Sequence, residues 1–557
     1  MPDLSTARAL PRFTIPASVE QVLLAASIFW LLAANQPFFA AALQGQALGT
    51  PAAWGFALAL AVMLAALHVL LLAVVANRWT VKPLLALMLV VTASTSHYMG
   101  RFGVYMDPSM LRNVLRTDLA ETRELLSGAM ALHLLLFAGL PLLLLWRVRI
   151  VNRRWPRATL VRLGLLLAAA ATLVGALLAV FQPFASLMRN HKEVRYLITP
   201  ANVVWSLASV IADEARGAAL PRQPIGLDAV PGPSWAGRTR PRVVILVVGE
   251  TVRAANWGLS GYARQTTPQL AQLPVINFDS VTACGTNTEV SLPCMFAPVG
   301  RRDYDEARIR GSESLLHVLA RAGVAVHWRD NQSGCKGVCE GLSNDTVQAL
   351  ALPGLCRDGR CLDEGLLHGL DDRLAQARGT QLLVLHPLGN HGPSYFRRYP
   401  PAFARFQPAC ASDDLHQCSR EQIVNAYDNA ILYTDHLLAE LIARLQARAG
   451  SLDAALVFVS DHGESLGENN LYLHGLPYAI APDVQKQVPM FLWLSAGFRA
   501  GSGVDLDCLR RRAALPAAHD HLFHTVMGLV DVRSALYEPA WDLAQGCRAA
   551  VPAVVAR

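Results

Sequence analysis

Long apolar runs separated by short polar connections fill the first third of the chain. Five such stretches occur: Val19–Leu43, Ala53–Ala76, Pro83–His97, Leu126–Trp146 and Leu160–Phe181. Four of them approach the roughly 20 residues that a helix needs to cross a bilayer, whereas the third is shorter and ends in a polar run. This pattern predicts five transmembrane helices. The first stretch exceeds the apolar core of a cleaved signal peptide, so we expect it to remain as an anchor.

After residue 240 the pattern changes to short apolar runs rich in β-branched residues, which are typical of buried strands. These runs are Arg242–Glu250, Gly323–Trp328, Gln381–His386, Ala454–Glu464 and Val488–Ser495. Helical stretches such as Gln422–Ala449 separate them. This alternation predicts an α/β sheet with helices on both faces.

A connector, roughly Gln182–Arg240, joins the two patterns. Its first part mixes apolar and charged residues at helical spacing, which favours an interfacial helix. Its second part is rich in proline and glycine, which predicts a linker. The predicted organisation is a five-helix transmembrane domain at 1–182, an interfacial helix and linker at 183–240, and a soluble catalytic domain at 241–557.

Composition agrees with a membrane protein, because 53% of the 557 residues are hydrophobic. Arginine and lysine predict its orientation. Basic residues before the first stretch, between the second and third, and between the fourth and fifth place these connections in the cytoplasm. The loop Met99–Ser127 also holds four arginines, but four acidic residues accompany them. Five spans therefore deliver everything after Phe181 to the opposite side of the membrane.

All ten cysteines lie between Cys284 and Cys547, outside the predicted membrane part. An even number confined to one half of the chain indicates disulfides formed in an oxidising compartment. Nearest-neighbour pairing predicts Cys284–Cys294, Cys335–Cys339, Cys356–Cys361, Cys410–Cys418 and Cys508–Cys547. The alternative is a zinc ribbon in which Cys335 and Cys339 supply two ligands, although the other spacings do not repeat a ribbon pattern.

Polar residues end two of the predicted strands. Glu250 ends the first, whereas Asp461 and His462 end a later one. In open parallel sheets, ligands bind at the carboxyl ends of the strands, so these three residues are predicted to converge on one divalent metal. The imidazole favours zinc. The alternative is that each is an ordinary polar residue in a solvated turn.

The segment CGTNTEVSLPCMF, Cys284–Phe296, places Thr286 and Thr288 between two cysteines. A disulfide here would hold a hydroxyl group in one geometry, as a nucleophile requires. A plain surface loop needs no such restraint. The segment is therefore a candidate for covalent catalysis.

Seven segments carry a resemblance to a known family. They are VVGET (Val247–Thr251), CGTNTEVSLPCMF (Cys284–Phe296), DNQSGCKGVC (Asp330–Cys339), HPLGNHGPSY (His386–Tyr395), SDHGESLGE (Ser460–Glu468), YLHGLPYAIAP (Tyr472–Pro482) and, in the membrane part, NVLRTDLAE (Asn113–Glu121). Together they resemble the phosphoethanolamine transferases of the Gram-negative inner membrane, which include enzymes that modify lipid A and confer polymyxin resistance. The resemblance implies an N-terminal α-helical transmembrane domain plus an α/β alkaline-phosphatase/sulfatase-like periplasmic domain.

The resemblance also implies roles for individual residues. The implied zinc ligands are Glu250, Thr288, Asp461 and His462. The implied catalytic residues are the nucleophile Thr288 and two histidines near the transferred group, His391 and His474. The resemblance also makes these two histidines candidate ligands of a second zinc. A threonine hydroxyl is a poor nucleophile at neutral pH, and coordination to Zn²⁺ lowers its pKa.

Four further residues match positions that contact the phosphoethanolamine donor: Asn113, Thr117, Glu121 and Lys336. The first three are spaced by four, so they share one face if their segment is a single helix. Two residues depart from the family pattern. Glu289 stands where a small or neutral residue is frequent, and Arg116 stands where glutamine is common.

The predicted reaction moves phosphoethanolamine from phosphatidylethanolamine to a phosphate of lipid A in two steps, through a covalent intermediate on Thr288. The expected partners are these lipids and the membrane, with zinc as cofactor, and we expect a monomer with no nucleic-acid partner. The formal net charge of +7 suits an anionic membrane surface. The expected location is the inner membrane, with the catalytic domain in the periplasm.

Three alternatives remain open. The acceptor can instead be a core sugar of lipopolysaccharide, because the same motifs would serve. A sulfatase or glycerophosphate transferase would share the metal site, but the cysteine-flanked Thr288 and Lys336 argue against both. The chain can also be an inactive lipid-binding sensor, against which the complete set of ligand residues counts.

Overall fold

The computed structural model of the protein describes residues 14–117, 119–219, 222–357 and 359–548. The chain divides into two compact units. The first unit comprises Met1–Leu111 and Leu126–Ser209, and the second comprises Arg112–Leu125 and Val210–Arg557. The short segment Arg112–Leu125 therefore leaves the helical part of the sequence and packs with the catalytic part.

Helices dominate the N-terminal part of the chain. They are Val19–Ala33, Gln36–Ala42, Pro51–Ala73, Val81–Phe102, Pro108–Arg116, Leu119–Leu125, Gly128–Leu134, Leu135–Gly139 (π), Leu140–Arg147, Trp155–Ala179, Phe181–Asn190 and Ala201–Ala219. By length and composition, three of the described helices suit a membrane span: Pro51–Ala73, Gly128–Arg147 and Trp155–Ala179. A fourth results if the first two helices form one bent span. The helical N-terminal domain is confirmed, and the span at Pro83–His97, which lies within the helix Val81–Phe102, stays a prediction.

The first apolar stretch is not the single helix that its composition suggested. It bends by 59° between Ala33 and Gln36. The side chain of Asn35 donates hydrogen bonds to the carbonyl oxygens of Trp30 at 2.9 Å and Thr199 at 2.8 Å. Pro37, two residues further on, has no N–H to continue the helical ladder. Together these residues explain the break.

The connector also differs from its predicted form. Two helices, Phe181–Asn190 and Ala201–Ala219, replace the one interfacial helix, and a 3₁₀ turn at Lys192–Leu197 lies between them. The C-terminal part of the linker packs against the rest of the catalytic unit. Val230–Pro231 pairs antiparallel with Val532–Arg533, and the Trp235 indole donates to the carbonyl of Val530 at 2.8 Å. Proline and glycine here mark tight turns rather than free chain.

An eight-stranded sheet forms the centre of the catalytic unit. Its strands are β1 (Arg242–Gly249), β2 (Ile276–Thr282), β3 (Ala325–Asp330), β4 (Asn344–Thr346), β5 (Thr380–His386), β6 (Asp453–Ser460), β7 (Gln487–Leu494) and β8 (Ala517–Ala518). The order across the sheet is β8-β2-β7-β6-β1-β5-β3-β4. Only β7 runs antiparallel to its neighbours. The sheet is therefore mainly parallel, as the alternation of strands and helices predicted.

Helices cover the sheet on both sides. They are Thr288–Met295, Glu306–Gly311, Leu315–Arg321, Val347–Leu350, Leu370–Ala375, Arg420–Ala447, Asp483–Lys486, Ala496–Ser502, Leu506–Ala513 and Asp520–Val530. Alternate residues of β1 enter two separate cores, with Val244 and Leu246 in one and Val243 and Ile245 in the other. Each such side chain contributes ~1.5–3 kcal/mol when fully buried. Burial on both faces fixes β1 as the central strand.

All five predicted disulfides are present. The bridges are Cys284–Cys294, Cys335–Cys339, Cys356–Cys361, Cys410–Cys418 and Cys508–Cys547. Since Cys335 and Cys339 are bonded to each other, the zinc-ribbon alternative is wrong. Nearest-neighbour pairing succeeds because most of these bridges close short loops that bring their cysteines together locally.

Candidate active site and metal centre

The carboxyl ends of two adjacent strands form the centre of the site. β1 and β6 are parallel and in register, with Gly249 opposite Ser460. The next residue of each strand, Glu250 and Asp461, therefore lies at the same edge of the sheet, and His462 follows. These three side chains are fully buried, and each offers a ligand atom within 4.8 Å of the others. The predicted convergence of these residues is seen in the structure.

Thr288 begins a short helix that points its N-terminus at this cluster. The Asn287 side chain caps the helix by accepting from the backbone N–H of Val290 at 3.0 Å. The Thr288 hydroxyl lies 3.2 Å from Oε2 of Glu250 and 3.4 Å from Nε2 of His462. A helix N-terminus also favours an anion, because its first N–H groups lack partners within the helix.

The neighbouring hydroxyl, Thr286, turns elsewhere. It donates to the carbonyl of Leu476 at 2.6 Å and so holds the loop in place. The disulfide Cys284–Cys294 joins the start of the loop to the end of the helix. Only one of the two threonines therefore faces the three candidate ligands.

The protonation pattern around the cluster suits a bound cation. Nδ1 of His462 donates to the carbonyl of Gly463 at 3.0 Å, which leaves the lone pair of Nε2 facing the site. Oδ2 of Asp461 is buried, has no hydrogen-bond partner among the described residues, and lies 3.3 Å from that Nε2. An orphaned carboxylate oxygen in the interior is costly unless a ligand satisfies it. The described donors, with Thr288, match the nitrogen and oxygen ligand set of zinc.

Two further histidines line the same site. The rings of His391 and His474 lie 5.4 Å apart, and that of His474 is 4.3 Å from the ring of His462. Nδ1 of His474 is 3.3 Å from Glu464, which also accepts from the hydroxyl of Tyr395 at 3.0 Å. Burial lowers the pKa of His474 to about 3 and raises the pKa of Glu464 to about 8. This pair is therefore uncharged at neutral pH before ligand binding.

Lys336 lies in the small disulfide loop Cys335–Cys339. Its ammonium group donates to the hydroxyl of Ser333 at 2.7 Å and lies 3.5 Å from Oε1 of Glu289. The side chain is only 4% exposed. Its backbone φ of +47° is rare for a residue with a side chain, and the disulfide loop holds it there. Lys336 is thus positioned as a fixed point charge near the nucleophile helix.

The predicted donor-binding residues do not share one helix. Asn113 belongs to the helix Pro108–Arg116, which ends before Thr117, and Glu121 belongs to the helix Leu119–Leu125. The Thr117 hydroxyl donates to the carbonyl of Asn113 at 2.9 Å. The side chain of Glu121 lies outside the described residues. The condition for a common helical face is therefore not met, because the helix that carries Asn113 ends at Arg116.

Sequence reasoning missed a second layer of contacts around Glu250. Gln332 donates to Oε2 of Glu250 at 2.8 Å. Nε2 of His386 is buried, accepts or donates no hydrogen bond within the part of the chain that the structure describes, and lies 4.0 Å from the same oxygen. Nδ1 of His386 forms a hydrogen bond with Asp330 at 2.7 Å. The sequence did show that a histidine ends the strand β5. It did not show that β5 is the second neighbour of β1, which brings His386 to Glu250. Such outer contacts orient a metal ligand.

We expect His386→Ala to weaken zinc binding by ~10–100-fold, the usual effect of removing an outer-shell partner of a metal ligand. The carboxylate of Glu250 would lose the ring that packs beside it. Competition with a chromophoric chelator measures the affinity. His368→Ala, at an exposed histidine, is the matched control. Equal zinc affinity in the two variants would remove His386 from the site.

The fold and the site together define a membrane-bound enzyme of the sulfatase and alkaline phosphatase type. The sequence profile described as Sulfatase matches residues 242–532, and the profile described as Phosphoethanolamine transferase EptA/EptB matches residues 64–215. The chain is 40% identical to phosphoethanolamine transferase EptA of Salmonella typhimurium, over 84% of this chain and 86% of the relative. It is 38% identical to phosphatidylethanolamine transferase Mcr-1 of Escherichia coli, over 87% and 90%.

A solved structure agrees over nearly the whole chain. It is the integral membrane protein lipooligosaccharide phosphoethanolamine transferase A from Neisseria meningitidis, with a TM-score of 0.91 and 39% identity. The match covers 96% of this chain and 99% of that one. The chain belongs to the lipid A phosphoethanolamine transferase family. It is a multi-pass protein of the inner membrane with a periplasmic catalytic domain.

Proposed function

We propose that the protein transfers phosphoethanolamine from phosphatidylethanolamine to a phosphate group of lipid A, through a phosphothreonine formed on Thr288 at a zinc site. One observation carries this proposal. Four groups converge in a buried space at the ends of β1 and β6: the Thr288 hydroxyl, the Glu250 carboxylate, Oδ2 of Asp461 and Nε2 of His462. A binding scaffold without catalysis would not need a hydroxyl at this point.

In the first half-reaction, the Thr288 oxygen attacks the phosphorus of the donor, and the bond from phosphorus to the glycerol oxygen breaks. Glu250, Thr288, Asp461 and His462 would hold the zinc, which supplies acidity to the hydroxyl and offsets charge on the phosphoryl oxygens. Lys336, fixed by Ser333, presents a second positive charge to the donor phosphate. Diacylglycerol leaves after taking a proton.

Two histidines can carry that proton from the Thr288 hydroxyl, because an uncharged imidazole accepts a proton before it donates one. His474 and His391 lie beside the cluster, and Glu464 orients the ring of His474 through its Nδ1. We assign the proton transfer to the leaving glycerol oxygen to this pair. In the second half-reaction, a phosphate oxygen of lipid A attacks the phosphothreonine and the Thr288 oxygen leaves. Both lipid substrates lie in a membrane, which explains why the catalytic domain is anchored to one.

Mass spectrometry of lipid A and of the core oligosaccharide, from cells with and without the protein, tests the proposal. We expect lipid A to gain one phosphoethanolamine group in the expressing cells. The added ammonium group lowers the negative charge of the lipid, so polymyxin resistance should rise. Modification of the core sugars alone would assign the other acceptor, and absence of any modified lipid would favour the lipid-binding sensor.

A further inference from the structure

The two residues that depart from the family pattern contact each other. Nη1 of Arg116 lies 3.1 Å from Oε2 of Glu289, the residue that follows Thr288 in the nucleophile helix. The Glu289 carboxylate is fully buried. Arg310 lies 3.3 Å from the same oxygen and also donates to the Glu289 carbonyl. A buried carboxylate beside the nucleophile is thus held by two guanidinium groups at Oε2, and the ammonium group of Lys336 lies 3.5 Å from its Oε1.

This contact belongs to a larger chain of alternating charges. In order, its members are Asp213, Arg112, Glu306, Arg310, Glu289, Arg116 and Glu214. The two end members, Asp213 and Glu214, are adjacent in sequence. The backbone between them therefore closes the chain of ion pairs into a ring within the catalytic unit. We call these seven residues the charge ring. The charge ring joins four helices: Pro108–Arg116, Ala201–Ala219, Glu306–Gly311 and the nucleophile helix Thr288–Met295.

The members of the charge ring differ in burial, and this decides which of them matter. The side chains of Glu289 and Arg112 are 0% and 3% exposed, whereas Asp213 and Glu214 are 45% and 56% exposed. Exposed ion pairs contribute little because water and salt screen them. A buried charge that loses its partner is strongly unfavourable. The effective contacts therefore centre on Glu289, and they connect it to Arg116 and, through Arg310 and Glu306, to Arg112.

The other end of the segment Arg112–Leu125 is held in the same way. Glu124, 7% exposed, binds the guanidinium group of Arg398, with the shorter contact at 2.6 Å. Arg398 is buried and donates to the carbonyl of His391 at 2.6 Å. Arg360 lies 3.2 Å from the same carboxylate. One end of the segment is thus tied to the nucleophile helix, and the other to the loop that carries His391.

We propose that the charge ring and the Glu124–Arg398 pair position the segment Arg112–Leu125 over the active site. The donor headgroup then binds against this segment in one orientation. Arg116 and Glu289 are positioning residues for the donor lipid. Directional ion pairs fix the register of such a short, charged segment, which offers few apolar side chains for packing. The inference rests on the proposed function, because Asn113, Thr117 and Glu121 lie in this segment.

A double-mutant cycle in the full-length, zinc-loaded protein tests the inference. The variants are Arg116→Gln, Glu289→Gln and the double variant, assayed in nanodiscs of varied phosphatidylethanolamine content by diacylglycerol release. We expect each single change to raise the apparent KM for the donor ~10-fold, which lies within the range of interaction energies between residues in contact. The kcat and the zinc content should change little. The double variant should be no worse than the worse single variant, and Arg116→Lys should recover part of the loss.

Controls separate positioning from general damage. Arg308 lies on the helix that carries Arg310 and forms an exposed ion pair with Asp303. Arg308→Gln removes this pair and should leave KM unchanged. Glu124→Gln should raise KM as Arg116→Gln does, and it gives a second test if Glu289→Gln fails to fold. Equal KM in wild type, Arg116→Gln and Glu124→Gln, or strictly additive effects in the cycle, would overturn the inference. A wild-type protein that releases no diacylglycerol would instead refute the proposed function.

Discussion

Thr288→Ala is expected to abolish transfer, with a loss of at least ~10³-fold, because it removes the hydroxyl that lies beside both Glu250 and His462, and removal of a nucleophile leaves only residual catalysis. The wild-type protein, given donor lipid without acceptor, should accumulate a covalent adduct on Thr288. Peptide mass spectrometry should find this residue heavier by one phosphoethanolamine group. The adduct should be absent from Thr288→Ala and from protein stripped of zinc.

Thr286→Ala is the matched control, because it removes the neighbouring hydroxyl within the same disulfide loop. Its hydroxyl donates to the carbonyl of Leu476 and faces away from the cluster, so this variant should retain adduct and some transfer. Thr288→Ser, which keeps a hydroxyl, should retain part of the activity. An adduct mapped to Thr286, or full transfer by Thr288→Ala, would contradict the assignment of the nucleophile.

Asp461→Asn is expected to cost the protein its zinc. Oδ2 of this carboxylate accepts no hydrogen bond from the described residues and lies 3.3 Å from Nε2 of His462, and an amide there is a much weaker ligand for a divalent cation. We expect zinc affinity to fall by more than ~100-fold, beyond the effect of losing an outer-shell partner, and transfer to fall with it. Metal analysis of purified protein, together with zinc titration of the apoprotein, measures the change.

A surface carboxylate gives the control for this prediction. Asp483→Asn changes a side chain that is 85% exposed and pairs with Lys486 in the same short helix, so zinc content and transfer should stay at the wild-type level. The thermal unfolding of both variants should be compared with zinc removed. Asp461→Asn with full zinc content would refute its role as a ligand, even if transfer were lost.

The sequence predicted the metal cluster because its signal is local. Polar residues that end apolar strands are visible in a single sequence, and the topology of parallel sheets brings such ends together. The sheet and the disulfides followed from equally local patterns. Glu250, Asp461 and His462 therefore lie where their strand ends predicted.

Contacts between distant segments left no comparable signal. Arg116 and Glu289 are separated by 173 positions, and neither residue by itself suggests its partner. The break after Arg116 and the bend at Asn35 depend on side-chain hydrogen bonds and tertiary packing, which override apolar periodicity. His386 was missed because its role depends on which strand neighbours β1, a matter of sheet order rather than of sequence.

The spacing of the disulfides has a consequence for how the protein matures. Four bridges span 10, 4, 5 and 8 residues, the fifth spans 39, and none interleaves with another. During export from the N-terminus onward, each of the first four pairs emerges together before the next cysteine arrives. Oxidation in order of emergence therefore yields the native connectivity directly. We therefore expect an oxidant alone to suffice for this protein, because a disulfide isomerase, which corrects wrongly paired cysteines, would have little to repair.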